Sequence, residues 1–243
     1  MIARTTAVVE PGGVLGAVTC APPLTLRQVR GAGGRCELRL VGTAAGPLAG
    51  DDLALALTLR PGARAALRAA AASVAQGSGG GRTLAIRAEL GAEADLIAEP
   101  GALIACAGSR TEVRVEIALG TGARVDWREL IVLGRTGEPP GRVTLRWDVT
   151  RRGEPVLRQL ADTDPALRGL TGGHRVLACA LISGPADRVR TVVDSPAAVA
   201  QRVDEHTLLV SVLEDDAAGA VRRLGELCAR ARVLARGANS ALR

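Results

Sequence analysis

The feature that most constrains this chain is a set of short runs in which apolar residues recur at every second position, each run closed by glycine or proline. The clearest are 53–60 (LALALTLR), 82–88 (RTLAIRA), 111–119 (TEVRVEIAL), 123–133 (ARVDWRELIVL) and 142–149 (RVTLRWDV). Period two marks a strand with one face buried. In the last run Val143, Leu145 and Trp147 face one side, and Arg142, Thr144, Arg146 and Asp148 face the other. Further strands are read at 175–182, 189–193 and 206–213. The alanine-rich stretch 63–75 favours helix on propensity alone. Pro61-Gly62 opens it and the 77–81 glycine tract closes it, so it reads as strand, turn and partial strand. A Gly-Ala pair precedes a strand at Gly62-Ala63, Gly91-Ala92 and Gly122-Ala123, with spacings of 29 and 31 residues. That is the scale of a repeating stacked unit.

The period changes at the C-terminal end. From Ala217 the apolar positions Val221, Leu224, Leu227, Cys228, Ala231 and Leu234 follow the spacing of one helix face. Asp215 or Asp216 caps its start, Arg230, Arg232 and Arg236 load its last turns with the sign the helix dipole prefers, and Gly237 is its stop. A second, shorter helix is read from Ser195-Pro196 to about Val203, a cap followed by proline. The expected fold is mainly β: a stacked, helix-like multi-strand scaffold over 1–214, with a basic amphipathic α-helix and tail over 215–243 packed on it.

Composition narrows the function classes. A single core is ordinary up to about 250 residues, and the chain has 243. It is 47% hydrophobic but 1% aromatic, so the core is built from leucine, valine, isoleucine and alanine. The longest unbroken apolar run, Val176 to Ile182, is seven residues, far short of the about 20 that span a membrane. The first residues lack the apolar stretch of a secretory signal. A soluble cytoplasmic chain is expected. All 31 basic residues are arginine, and the net charge of +6 is uneven. Residues 1–120 carry 12 arginines against 10 acids, 121–216 carry 13 against 14, and 217–243 carry 6 against 1. Single-strand binders add stacking aromatics to a basic groove. Only Trp127 and Trp147 could stack here, so a nucleic-acid role is set aside. The five cysteines form no C-x-x-C pair, which signals neither a zinc site nor a disulfide framework. Most sit in apolar stretches as small hydrophobes.

Few residues suggest chemistry. His174 and His206 lie far apart with no nucleophile pattern, and GSGGGR (77–82) lacks the lysine and hydroxyl of a phosphate loop. No tight metal site is expected. The carboxylates are more informative. Gly50-Asp51-Asp52 opens a strand, either as a solvated turn or, facing inward, as a close pair of which one pKa rises unless a cation arrives. Glu99-Pro100-Gly101 and Asp126-Trp127-Arg128-Glu129 also place acids within apolar segments.

At these residues the chain resembles the UreD (UreH) family of urease accessory proteins. The resemblance rests on 46–73 (GPLAGDDLALALTLRPGARAALRAAAAS), 98–113 (AEPGALIACAGSRTEV) and 129–149 (ELIVLGRTGEPPGRVTLRWDV). Its markers are Gly50-Asp51 before an alternating strand, a Pro-Gly-Ala turn, Glu99-Pro100, and Gly134-Arg135 followed by Gly137-Glu138. The order and spacing of these markers over roughly residues 40–160 carry it. The final 80 residues match less distinctly. Where the family usually has a Thr-rich stretch with lysine and tyrosine, this chain has LRAAAASVAQGS.

The resemblance implies a non-enzymatic, mostly β scaffold that binds apo-urease on one side and UreF on the other. UreF holds UreG, which uses GTP and releases nickel for the urease site. Nickel then passes along an internal path lined by polar and acidic groups. Imidazole and thiolate grip nickel tightly, whereas carboxylates, carbonyls and water attract it more loosely, so a conduit avoids clustered histidine and cysteine. On this reading Asp51 and Asp52, with Glu99, line the path, and no cofactor is held tightly. Arg222, Arg223, Arg230 and Arg232 of the C-terminal helix are candidates for docking an acidic partner, against the plainer reading of a helix with solvated charges. Two other classes stay open: a carbohydrate-active β-helix enzyme with paired carboxylates, and a general β domain for protein interaction.

Overall fold

The alternating runs become strands whose apolar halves meet between two layers. The computed structural model describes residues 1–31, 33–167, 169–185 and 188–233. The first sheet has the order β14 (Glu154–Asp162), β13 (Arg142–Arg151), β11 (Arg110–Leu119), β8 (Arg82–Leu90), β5 (Asp52–Leu59), β1 (Ile2–Glu10), β2 (Val14–Thr19). The second runs β17 (Val192–Ser195), β18 (Ala198–Arg202), β19 (Thr207–Glu214), β15 (Val176–Ser183), β12 (Arg124–Leu133), β9 (Asp95–Glu99), β6 (Arg64–Ala69), β4 (Cys36–Gly42), β3 (Leu24–Val29). On its flank β10 (Ala102–Ala105) pairs with β12, and β7 (Ser73–Ala75) pairs with β10. A two-stranded ribbon joins β16 (Arg188–Val189) to β20 (Arg232–Val233).

Through the middle of the chain successive segments alternate between the sheets, so neighbours within a sheet run parallel. This holds for β1, β5, β8, β11 and β13 in one layer and for β4, β6, β9 and β12 in the other. The result is a solenoid-like stack. Leu53, Leu55, Leu57 and Leu59 of β5 all point inward, as do Val113, Val115, Ile117 and Leu119 of β11. Trp127 and Trp147 are buried in the same core. Neither can serve as a stacking platform for a base or a sugar. The stretch 63–75 is strand, turn and short strand, with Ala63, Ala65, Ala66 and Ala75 buried in the core together with Leu67.

The turns that carry the chain from sheet to sheet correct the internal echo. Arg64, Asp95 and Arg124 share one row, which makes Gly62-Ala63, Glu93-Ala94 and Gly122-Ala123 equivalent. The middle copy is therefore Glu93-Ala94 and not Gly91-Ala92. Gly62, Glu93 and Gly122 all adopt positive φ, at 73°, 55° and 70°. Gly91 belongs to another row, in which Arg60, Gly91, Gly120 and Arg152 each donate a backbone N–H to the coil before. A Cβ at Gly91 would lie 2.7 Å from Pro61 N, and one at Gly120 would lie 2.8 Å from the Gly91 carbonyl carbon. The turns rest on each other's backbone.

α1 (Ala217–Ala231) starts where the change of period puts it. Asp216 is its N-cap and accepts from Gly219 N at 2.8 Å. Ala220, Leu224, Leu227, Cys228 and Ala231 pack on Val176, Ala178, Ala180 and Ile182 of β15 and on Leu208, Val210 and Val212 of β19, forming a second cluster outside the second sheet. Val221 is not part of the buried face but exposed, one helical position off the stripe. Arg232 leaves the helix as its C-cap and enters β20, and the expected positions Leu234, Arg236 and Gly237 lie outside the described residues. The short helix expected over 195–203 is instead the hairpin β17–β18. Ser195 Oγ accepts from Ala197 N at 3.1 Å, which closes a turn, and pairing of Ala198 to Arg202 with β19 overrides the helix-start signal.

Candidate functional site

In an interior this aliphatic, the polar side chains that point inward are the candidates. Asp51 is one. Gly50 supplies positive φ, at 81°, for the turn before β5, and Asp51 then faces into the end of the stack. Its carboxylate accepts from the Met1 ammonium at 2.6 Å and from Leu48 N at 2.8 Å. Burial opposes its ionisation, but these two donors together with the charges of the ammonium and Arg82 hold its pKa below the ordinary carboxylate value.

Asp51 and Asp52 are not a carboxylate pair. Consecutive residues entering a strand face opposite sides, so Asp52 lies on the outer face of the first sheet, ion-paired with Arg4. Glu99 lies on the outer face of the second sheet, 3.4 Å from Arg68 and 3.7 Å from Arg128. It is one link in a chain of opposite charges, Arg39–Glu37–Arg68–Glu99–Arg128–Asp126–Arg232, that crosses that face. The three predicted acids therefore stand in three different places, and only Asp51 is inside.

A second interior acid, Glu129, carries more weight than its place in the run 123–133 suggests. Trp127 and Glu129 are two apart on β12 and both point inward, and Trp127 Nε1 donates to Glu129 Oε1 at 2.6 Å. Register places Glu129 beside Cys179 of β15 and Cys179 beside Ser211 of β19, a polar row within an apolar sheet face. Burial pushes the Glu129 carboxyl up to about 7 against the pull of the Trp127 bond. Burial and the neighbouring Glu129 push the Cys179 thiol up to about 12. The cue in the sequence was the inward phase of Glu129 in the run 123–133.

The remaining marker positions shape backbone. Pro100 and Gly101 make the corner between β9 and β10; Gly101 has φ of 101°, and a Cβ there would lie 2.5 Å from that of Ala69. Gly134 adopts φ of 81° at the start of a loop that Arg175 holds by donating to the carbonyls of Leu133, Arg135 and Glu138 at 2.9, 3.0 and 2.8 Å. Arg135 closes that loop on Glu138 through its Nη2 at 2.8 Å and its backbone N–H at 3.1 Å. The side-chain bond, followed by the backbone bond, draws the Glu138 pKa down to about 2.

On α1, Arg223 binds Asp194 at 3.0 Å and Glu214 at 2.6 Å, Arg230 binds Asp194 at 2.5 Å, and Arg232 binds Asp126 at 3.0 Å. These three fasten the helix to the sheet. Arg222 is exposed and has no ion pair among the described residues. His174 pairs with Asp215 at 3.0 Å ahead of β15, and His206 precedes β19. Those strands are antiparallel, so the two histidines sit at opposite ends of them. Among the described residues no three of the His, Cys, Asp and Glu side chains are arranged to hold a metal ion, and no helix is long and apolar enough to cross a membrane. Cys36, Cys106, Cys179 and Cys228 are buried thiols, and Cys20 is exposed.

Comparison with known proteins places this geometry. Residues 9–243 match the family model of the UreD urease accessory protein. The chain is 36% identical over 239 residues to the urease accessory protein UreD of Parafrankia sp., covering 85% of this chain and 80% of that relative. It is 36% identical over 246 residues to UreD of Frankia alni, covering 86% and 82%. With UreD of Streptomyces avermitilis the identity is 34% over 171 residues, covering 67% and 68%. The chain belongs to the UreD family of urease accessory proteins, which act in urease maturation.

Proposed function

We propose that the chain is a non-catalytic maturation factor of the cytoplasm that binds apo-urease and UreF, is linked through UreF to the GTPase UreG, and lets nickel pass through its interior beside Asp51 and Glu129. The observation that carries the second half is the separation of the interior acids. Asp51 stands at one end of the stack and Glu129 in the middle of β12, and among the described residues neither has two further metal-binding side chains beside it. Single carboxylates attract a divalent cation, and without thiolate or imidazole neighbours they release it. Cys179 supports passage over storage, since burial keeps it a thiol and metal needs the thiolate. Asp52 and Glu99 enter this reading as outer-face acids that draw the cation to the surface. Arg222, on the solvent side of α1 and without an ion pair among the described residues, is a cation of the proposed acidic-partner surface, and Arg223, Arg230 and Arg232 position that helix.

The test is nickel loading of urease co-expressed with its accessory proteins. Asp51→Ala and Glu129→Ala should each lower the nickel bound per urease while co-purification with urease and UreF survives. Normal loading in both variants would sink the path, and loss of co-purification would mark the two acids as structural.

A further inference from the structure

The end of the stack that holds Asp51 also holds the buried Arg82 guanidinium, so this one carboxylate faces two positive charges, Arg82 and the Met1 ammonium. Arg82 opens β8 with its side chain turned inward and is 2% exposed. Its Nη2 donates to Gly77 O at 2.9 Å, while Nε and Nη1 are buried with no partner among the described residues. Guanidinium does not give up its proton in proteins. No carboxylate forms an ion pair with Arg82 among the described residues, and Asp51, its neighbour in the inward row, is already engaged by the Met1 ammonium and Leu48 N.

Two hydroxyls stand beside this charge in the same condition. Thr111 is the cross-strand neighbour of Arg82 on β11, and Ser109 lies two residues before it on the same side. Both are buried, at 3% and 1% exposure, and neither oxygen has a hydrogen-bond partner among the described residues. Native interiors rarely leave such groups unsatisfied, and each exception calls for an unassigned ligand or water. Here the exceptions cluster, and their charge has one sign. A depression of 240 Å³ spans the starts of β8, β11 and β13, and its lining includes Arg82 and Thr111 together with Arg110 and Arg142. Arg142 is taken by Asp162 and Asp164, and Glu112, which also lines the depression, is taken by Arg114 at 2.7 Å, whereas Arg110 donates to Gly79 O at 3.1 Å and has no ion pair among the described residues.

We propose that Arg82, Ser109 and Thr111 form a site for a small oxyanion of the size of nitrate. The two free guanidinium nitrogens and two hydroxyls offer donors to the several oxygens of such an ion, and its charge balances the buried arginine. Charge-assisted bonds of this kind are among the stronger ones.

The experiment uses the full chain and sodium nitrate, with sodium chloride at matched ionic strength as the control. Nitrate should raise the thermal midpoint saturably at millimolar concentration and chloride should not. Titration calorimetry should give about one site per chain. Arg82→Met should abolish the nitrate effect, and Thr111→Val and Ser109→Ala should each weaken apparent affinity at least about threefold. Those two variants keep the test intact if Arg82→Met does not fold. An equal nitrate response in wild type and in Thr111→Val and Ser109→Ala would overturn the proposal by showing an adventitious ion only. An equal response to chloride would overturn the oxyanion assignment, and the absence of any response would overturn the site.

Discussion

Trp127 Nε1 donates to Glu129 Oε1 at 2.6 Å from two positions along the same inward face of β12. Among the described residues this is the only hydrogen bond to the buried Glu129 carboxyl. Burial outweighs the pull of this bond, so the acid holds its proton more tightly in the folded chain than in the unfolded one, with a pKa of about 7 against 4.5.

Stability from this group is therefore full below about pH 4.5 and is lost as pH rises towards 7, where the folded chain must bury a carboxylate. The shift corresponds to about 3 kcal/mol at most. Glu129→Gln should remove this fall, so the difference in denaturant stability between variant and wild type should grow in favour of the variant from pH 5 to pH 8. A constant difference across that range would show that Glu129 does not titrate there.

Arg151 joins the two sheets at the far end of the stack. It donates to Asp204 at 2.9 Å on one nitrogen and to Ser183 Oγ at 2.8 Å and Thr207 Oγ1 at 2.7 Å on the other. Arg151→Ala should cost about 2 kcal/mol in chemical denaturation, the order expected for losing a charge-assisted set of this kind. Arg151→Lys should recover less than half, because an ammonium cannot reproduce the planar fork.

Gly134→Ala should be among the more damaging single-methyl additions in the chain. The new Cβ would lie 2.8 Å from both Arg175 Nη2 and Pro139 O, at a φ of 81°. We expect a loss above about 1 kcal/mol, read as a lower thermal midpoint, with Arg175 displaced from the loop carbonyls. An alanine variant as stable as wild type would show that the loop 134–139 yields easily.

Glu93 holds a left-handed turn position that glycine holds in the two equivalent turns. Glu93→Gly should relieve strain and raise stability by up to about 1 kcal/mol, less the entropy glycine adds to the unfolded chain. It also clears the carboxylate from above Gly122, where a Cβ would meet it at 1.7 Å. The double variant Glu93→Gly with Gly122→Ala should therefore tolerate the alanine better than Gly122→Ala alone.

Strands with one apolar and one charged face were legible because both halves of the pattern are present, as in Val143, Leu145 and Trp147 against Arg142, Arg146 and Asp148. β1 and β2 were not, since IARTTAVVE and VLGAVT mix small and hydroxyl side chains and carry no clean alternation. β9 and β10 are too short to establish a period. Ser195-Pro196 read as a helix start because local signals cannot register that β19 waits beside the segment. In the candidate site the family markers were found, but five of them, Gly50, Pro100, Gly134, Arg135 and Glu138, serve turns and loops. Adjacent acids could have been separated by the two-residue period itself, which sends Asp51 in and Asp52 out. Arg82 was hidden inside a glycine tract that reads as surface.

The glycine contacts at residues 91 and 120 have an evolutionary corollary. Because each turn sits on the bare backbone of its predecessor, the pitch of the coil is locked along that edge, and one inserted residue would push every later row out of phase. Growth or loss there can occur only by whole windings of about thirty residues. Piecemeal length variation among related chains should collect at the opposite rim, in the glycine tract 77–81, where a Cβ on any of the four glycines would meet nothing closer than 3.9 Å.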